Sequence, residues 1–171
     1  LGPLSRLEHD PLDEKYELMV ILSGPEPQRT LLENRLKNEV QLFGKKVVFI
    51  KGKIEAEQTV CQKGNVTYYN FMTTDQLQKT FNESKMVLSR SGYTTVMDLA
   101  KLQKKCFFIP TPGQYEQEYL AKKLKKEVMV PYAKQDEFRI ENLLEIDLYQ
   151  GLPKFREDIH WKNLFCLFKG E

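Results

Sequence analysis

At 171 residues, with 41% hydrophobic and 29% charged positions, the chain is long enough for one well-filled core and has the composition of an ordinary folded domain. Its 26 basic and 24 acidic residues leave a net charge of +2, far from the lopsided balance that marks a nucleic-acid partner or an acidic tail. Cys61, Cys106 and Cys166 are too scattered for a disulfide framework and lie at no metal-ligand spacing with His9 or His160; no apolar run approaches the ~20 residues of a membrane span and no signal pattern is present, so a soluble cytoplasmic protein without metal chemistry is expected.

Residues 1–15 form a turn-rich polar lead, and Leu4-Ser5-Arg6-Leu7 reads as a linker between domains rather than an expression remnant. From Tyr16 onward β and α segments alternate. Glu17 to Leu22 is an apolar strand, Ser23-Gly24-Pro25-Glu26-Pro27 a turn, and Arg29 to Leu42 a helix whose apolar stripe takes in Leu31, Leu32, Leu36, Val40 and Phe43, with Gly44 as its stop. Val47 to Ile50 and Val66 to Tyr69 are strands, and Thr74 to Phe81 is a short helix capped by Thr73 or Thr74. Met86-Val87-Leu88 and Phe107-Phe108-Ile109 are the next strands, separated by a helix opened by Thr94 or Thr95 that carries Val96, Leu99 and Leu102. A helix from Glu116 to Lys125, a short strand at Val128 to Val130 and a helix from Phe138 to Ile146 complete residues 16–150. Residues 151–171 form a tail helix with Ile159, Trp161, Leu164, Phe165 and Phe168, too apolar to be left in water.

Short continuous apolar strands alternating with helices specify an α/β, Rossmann-like parallel sheet with helices on both faces. In such a sheet the loops after Leu88 and after Ile109 emerge at the same carboxyl edge, where open α/β sheets bind ligands. Ser91-Gly92-Tyr93-Thr94-Thr95 at a strand-to-helix junction offers small side chains and helix-terminal amides suited to a phosphate or diphosphate, with ordinary capping by Thr94 as the alternative. Asp98, about one turn further, can accept from a pair of ribose hydroxyls or can be a solvated acid complementing the helix dipole. Gln114, Gln117 and Glu118 follow Pro110-Thr111-Pro112-Gly113 and either read sugar hydroxyls or make a solvated helix face. Arg90 either offsets phosphate charge by a bidentate contact or is a surface arginine.

The order Ser91-Gly92-x-x-Thr95-x-x-Asp98, then the apolar strand to Pro110, then Glu116-Gln117-Glu118-Tyr119-Leu120-Ala121, resembles the carboxyl-terminal domain of GT-B glycosyltransferases of family 28 type, the group that includes the bacterial peptidoglycan UDP-N-acetylglucosamine transferase. The resemblance runs loosely from Tyr16 to about Val130 and is specific from Met86 to Leu124. It implies one half of a GT-B fold, binding a nucleotide-sugar donor, UDP-linked, for inverting and metal-independent transfer. Ser91, Gly92 and Thr95, with neighbouring Tyr93 and Thr94, would lie against the donor diphosphate and ribose. Asp98 would stand where the family usually has Glu, and Gln117 with Glu118 would face the sugar. Phe71 and Met72 fall where the family holds its base. The first loop departs from the family's glycine-rich turn, since Pro25 and Pro27 remove two backbone donors and Glu26 adds negative charge; Gly24 is therefore expected to line the crevice without a main role in phosphate binding. The catalytic base, and any peripheral membrane contact, would belong to an amino-terminal acceptor domain or a separate subunit, so this part alone would be inactive.

Three other readings compete. A nucleotide-sugar epimerase half shares the architecture, but His9 and His160 lie away from the motif loops. A non-catalytic donor-binding subunit would need a partner chain. A generic dinucleotide-binding domain lacks its glycine fingerprint at Ser23-Gly24-Pro25-Glu26-Pro27-Gln28.

Overall fold

A computed structural model describes residues 5, 7–10, 12–53 and 55–153. Six strands, β1 (Tyr16–Ile21), β2 (Val47–Ile50), β3 (Val60–Lys63), β4 (Val66–Tyr69), β5 (Ser84–Ser89) and β6 (Lys105–Phe108), form one sheet in the order β3-β4-β2-β1-β5-β6. All pairings are parallel except that of β3 with β4. Helices α1 (Gln28–Leu42), α2 (Thr74–Asn82), α3 (Tyr93–Lys101) and α4 (Tyr115–Lys126) make the crossovers, and a 3-10 segment spans Ile140–Leu148.

The period of two along each strand divides the core into two layers. Leu18, Val20, Val47, Phe49, Leu88 and Phe107 face α1 and the 3-10 segment, where Leu32, Leu36, Val40, Leu143 and Ile146 meet them. Met19, Val48, Ile50, Val87, Cys106 and Phe108 face α2, α3 and α4, packing on Phe81, Val96, Leu99, Leu120 and Leu124. Burial on both faces explains why β1 and β2 are continuous apolar runs. The expected α/β sheet with helices on both faces is what the chain forms.

Four expectations change. Leu31 is 51% exposed, so the buried stripe of α1 is Leu32, Leu36 and Val40, joined by Arg29 and Glu33, whose ion pair lets two charges enter that face. The antiparallel β3 is fully exposed and carries no apolar signature, although its two-residue Gly64-Asn65 connection to β4 is a hairpin signal. The strand expected at Val128 to Val130 is irregular chain, because Val128 adopts φ 55; Phe108 pairs instead with Tyr132 in a single parallel bridge. The last expected helix is the 3-10 segment, beginning two residues later than Phe138. The tail helix expected over 151–171 lies, beyond Pro153, outside the described residues.

The described part of the lead runs beside α2. Glu8 N donates to Gln78 Oε1 and Asp10 N to Asn82 Oδ1, both at 3.1 Å, and Leu7 is buried in the second core layer. Strand order reverses between β1 and β5, since the chain builds outward through β2 and β4 on one side and through β6 on the other. The loops leaving β1 and β5 therefore diverge and open a crevice at the carboxyl edge.

Candidate functional site

Three loops border this crevice. The first follows β1, where Leu22 N bonds Ile50 O at 3.0 Å and Gly24 turns the chain at φ +102. A Cβ on Gly24 would lie 3.6 Å from Thr111 Oγ1, so this loop rests against the loop after β6. The negative charge expected from Glu26 is neutralised locally. Its carboxylate pairs with Arg29 and accepts from Thr30 N at 3.2 Å, and its pKa is held below the ordinary glutamate value first by the Thr30 hydroxyl and then by Arg29.

The second loop joins β5 to α3. Gly92 is the N-cap of α3, with φ −70 and ψ 147 and no side chain to bond the first amides; Thr94 and Thr95 fall inside the first turn, so capping by Thr94 does not occur. The helix opens with its positive end at the carboxyl edge of the sheet. Thr95 and the half-buried Asp98 lie three residues apart, on one face of α3, while Tyr93 and Thr94 are exposed. The Ser91 hydroxyl donates to Gln117 O at 2.8 Å. Motif residues on the two sides of the specific stretch are thus physically linked.

The third loop joins β6 to α4. Gln117 Oε1 accepts from Thr111 N at 2.9 Å, Gln117 Nε2 donates to Gln114 Oε1, and Glu118 Oε1 accepts from Gly113 N at 3.0 Å. All three side chains singled out here, Gln114 at the N-cap of α4 and Gln117 and Glu118 in its first turns, therefore sit at this loop and brace it. Thr111 is 1% exposed and its hydroxyl finds no hydrogen-bond partner among the described residues.

Arg90 departs from both readings offered by the sequence. It is 1% exposed, with Nη1 donating to Ile109 O and Pro110 O at 3.1 and 3.0 Å, and Nη2 donating to Gln28 O at 3.0 Å and to Gln135 Oε1 at 2.6 Å. A guanidinium so engaged has no terminal donors left for a bidentate contact with phosphate, nor is it a surface side chain. Burial pulls its pKa down to about 10, which leaves it charged at neutral pH. Gln28 and Gln135 join the site through these contacts, and Thr111 through its bond to Gln117; the sequence carries no local signal for them.

Phe71 and Met72 follow β4 at the same edge, two strands from β1. Both are half-buried; Gln58 Nε2 donates to Phe71 O at 2.7 Å, and Met72 packs on the second core layer. They flank the crevice rather than close on the Gly92 turn. Two concavities lie elsewhere, one at the amino edge around Tyr16, Lys46, Gln62 and Asn65, the other between the lead and α2 at Asp10 and Asn82. Neither is bordered by the motif loops, and the first-turn residue of α2 that lines the second is the acidic Asp75. Among the described residues no cluster of three His, Cys, Asp or Glu is placed to hold a metal, and no helix is long and apolar enough to cross a membrane.

The sequence profile of the glycosyltransferase family 28 C-terminal domain matches residues 18–150. The chain belongs to this family. It is 26% identical over 166 residues to a UDP-N-acetylglucosamine--N-acetylmuramyl-(pentapeptide) pyrophosphoryl-undecaprenol N-acetylglucosamine transferase of Haemophilus ducreyi, an alignment covering 93% of this chain and 45% of the relative. The chain thus spans less than half the length of that enzyme. Among solved structures it is similar in fold to MurG of Acinetobacter baumannii, with a TM-score of 0.58 and 17% identity over 81% of this chain and 44% of the other. It is equally similar in fold to ALG13, with a TM-score of 0.57 and 16% identity over 82% of this chain and 89% of that one.

Proposed function

We propose that the chain is the donor-binding part of a glycosyltransferase, holding a UDP-linked sugar in the crevice between β1 and β5. The observation that carries this reading is the amino terminus of α3, which opens at the topological switch point on Gly92, without side-chain capping, and has Asp98 half-buried on its second turn. Amides at a helix start stabilise a diphosphate both when bound and when it departs carrying extra charge. Asp98 receives the ribose hydroxyls, and the β6–α4 loop with Gln114, Gln117 and Glu118 faces the sugar. In an inverting transfer the remaining requirement is a base for the acceptor hydroxyl. An acceptor-binding domain or subunit supplies it.

Calorimetric titration of the chain with UDP tests the proposal. Asp98→Asn removes the charge from two hydroxyl contacts and is expected to weaken binding by about 1–3 kcal/mol, roughly tenfold to a hundredfold. Lys125→Ala, on the far end of α4, is expected to bind as the parent does. Equal affinity in the folded Asp98→Asn variant would remove the ribose assignment.

A further inference from the structure

We propose that Arg90 is the positioning residue of the crevice, fixing its three loops against one another without touching the donor. The inference rests on the donor-binding reading above. Its acceptors come from segments 19, 20, 45 and 62 residues away in the chain, namely the end of the β6 strand region at Ile109 and Pro110, Gln135 in the loop before the 3-10 segment, and Gln28 at the start of α1. Gln135 Nε2 in turn donates to Gln28 Oε1 at 3.1 Å, so the α1 start and the residue-135 loop are joined to each other as well as to the guanidinium.

The next residue extends the grip. Ser91 bonds Gln117 O on the first turn of α4, and the Gln117 side chain holds Thr111 N. Arg90 and Ser91 therefore seize the β6–α4 connection at both ends, and Gly92, which starts α3, follows directly. The distance from the α3 amides to Thr111 and Gln114 is set through these two residues.

The chemistry of the side chain supports positioning over bulk stabilisation. A planar guanidinium presents its donors in a rigid fork, which suits four acceptors at fixed angles; an ammonium has three donors and no such plane. Burying a charge brings little net stability when an apolar side chain of similar volume could fill the space. Arg90 Nε is left without a hydrogen-bond partner among the described residues, a further sign that the side chain is not optimised for stability alone.

Arg90→Lys, compared with Lys104→Met, separates positioning from stability. Lys104 is also partly buried and donates to two carbonyls, Asn82 O at 3.1 Å and Ser84 O at 2.9 Å, but at the opposite, amino edge. Circular dichroism and urea denaturation report folding, and calorimetry with UDP reports the affinity of the folded protein. Arg90→Lys is expected to lose about tenfold or more in UDP affinity and to shift the unliganded amide resonances of residues 91–95 and 109–117. Lys104→Met is expected to lose stability and keep its UDP affinity. Should Arg90→Lys fail to fold, Gln135→Ala removes a single acceptor and is expected to weaken UDP binding about threefold to tenfold. A parent chain that binds UDP, with folded variants of Arg90 or Gln135 that bind equally well, would overturn the inference and leave the donor site standing. A parent chain that binds no UDP would overturn the donor reading and this inference with it.

Discussion

Gly92 occupies ordinary extended backbone, φ −70 and ψ 147, and a Cβ placed on it would meet nothing within 4 Å. The left-handed conformation that glycine alone adopts freely is not used here, so the value of this glycine lies in the open space in front of it. Gly92→Val is expected to cost about 1 kcal/mol of stability, as the loss of a favoured N-cap residue, while weakening UDP binding at least about tenfold, because the branched side chain would stand where the diphosphate approaches the amides. A drop in urea midpoint with unaltered affinity would assign the glycine to folding instead. The placement of Gly92, Thr95 and Asp98 at the start of α3 was legible in the sequence because a small-residue turn, a helix start and an acid one turn on are close together in the chain. The burial and bonding of Arg90 were not, since its four acceptors belong to three distant segments and no periodicity records them. Thr111 was equally silent, a threonine between two prolines whose burial depends on Gly24 from another loop.

At the scale of elements, the turn after β2 supports the first crevice loop. Gly52 sits at φ +64, and a Cβ on it would fall 2.1 Å from Leu22 O, a backbone atom with no freedom to rotate away. Gly52→Ala combines left-handed strain with this collision and is expected to destabilise the fold on the order of 2–4 kcal/mol, read as a lowered urea midpoint. α1 carries a second test. Burial pushes the Glu33 carboxyl up, but Lys37 at 2.7 Å and Arg29 at 3.1 Å outweigh it and leave its pKa below the ordinary 4.5. Glu17 is likewise lowered, first by the hydrogen bond from Lys45 and then, after an opposing effect of burial, by that from Lys85. Carboxylates depressed in the fold stabilise it above their unfolded pKa, and the contribution disappears as pH falls through the folded value. Urea midpoints are therefore expected to fall between pH 5 and pH 3, with a shallower fall in Glu33→Gln. Parallel strands were legible because burial on both faces makes them continuous apolar runs. β3 was not, since an exposed edge strand needs no apolar residue, and Val128 to Val130 misled because apolar composition carries no information on the positive φ of Val128.

For the whole molecule, the parallel strands bring distant loops to one edge, and the reversal of strand order between β1 and β5 parts two of them to open the crevice. The alternation of β and α segments announced that architecture, and family membership over residues 18–150 agrees with it. The competing location is the concavity at the amino edge, around Tyr16, Lys46 and Asn65, which has no helix amino terminus and no motif residue. Amide resonances of the labelled chain, followed while UDP is added, distinguish the two edges residue by residue. Shifts concentrated at residues 91–98 and 111–118, with smaller ones at Gly24, Phe71 and Met72, are the expected result. Shifts centred on Tyr16, Lys46 and Asn65, or none at saturating UDP, would contradict the donor crevice.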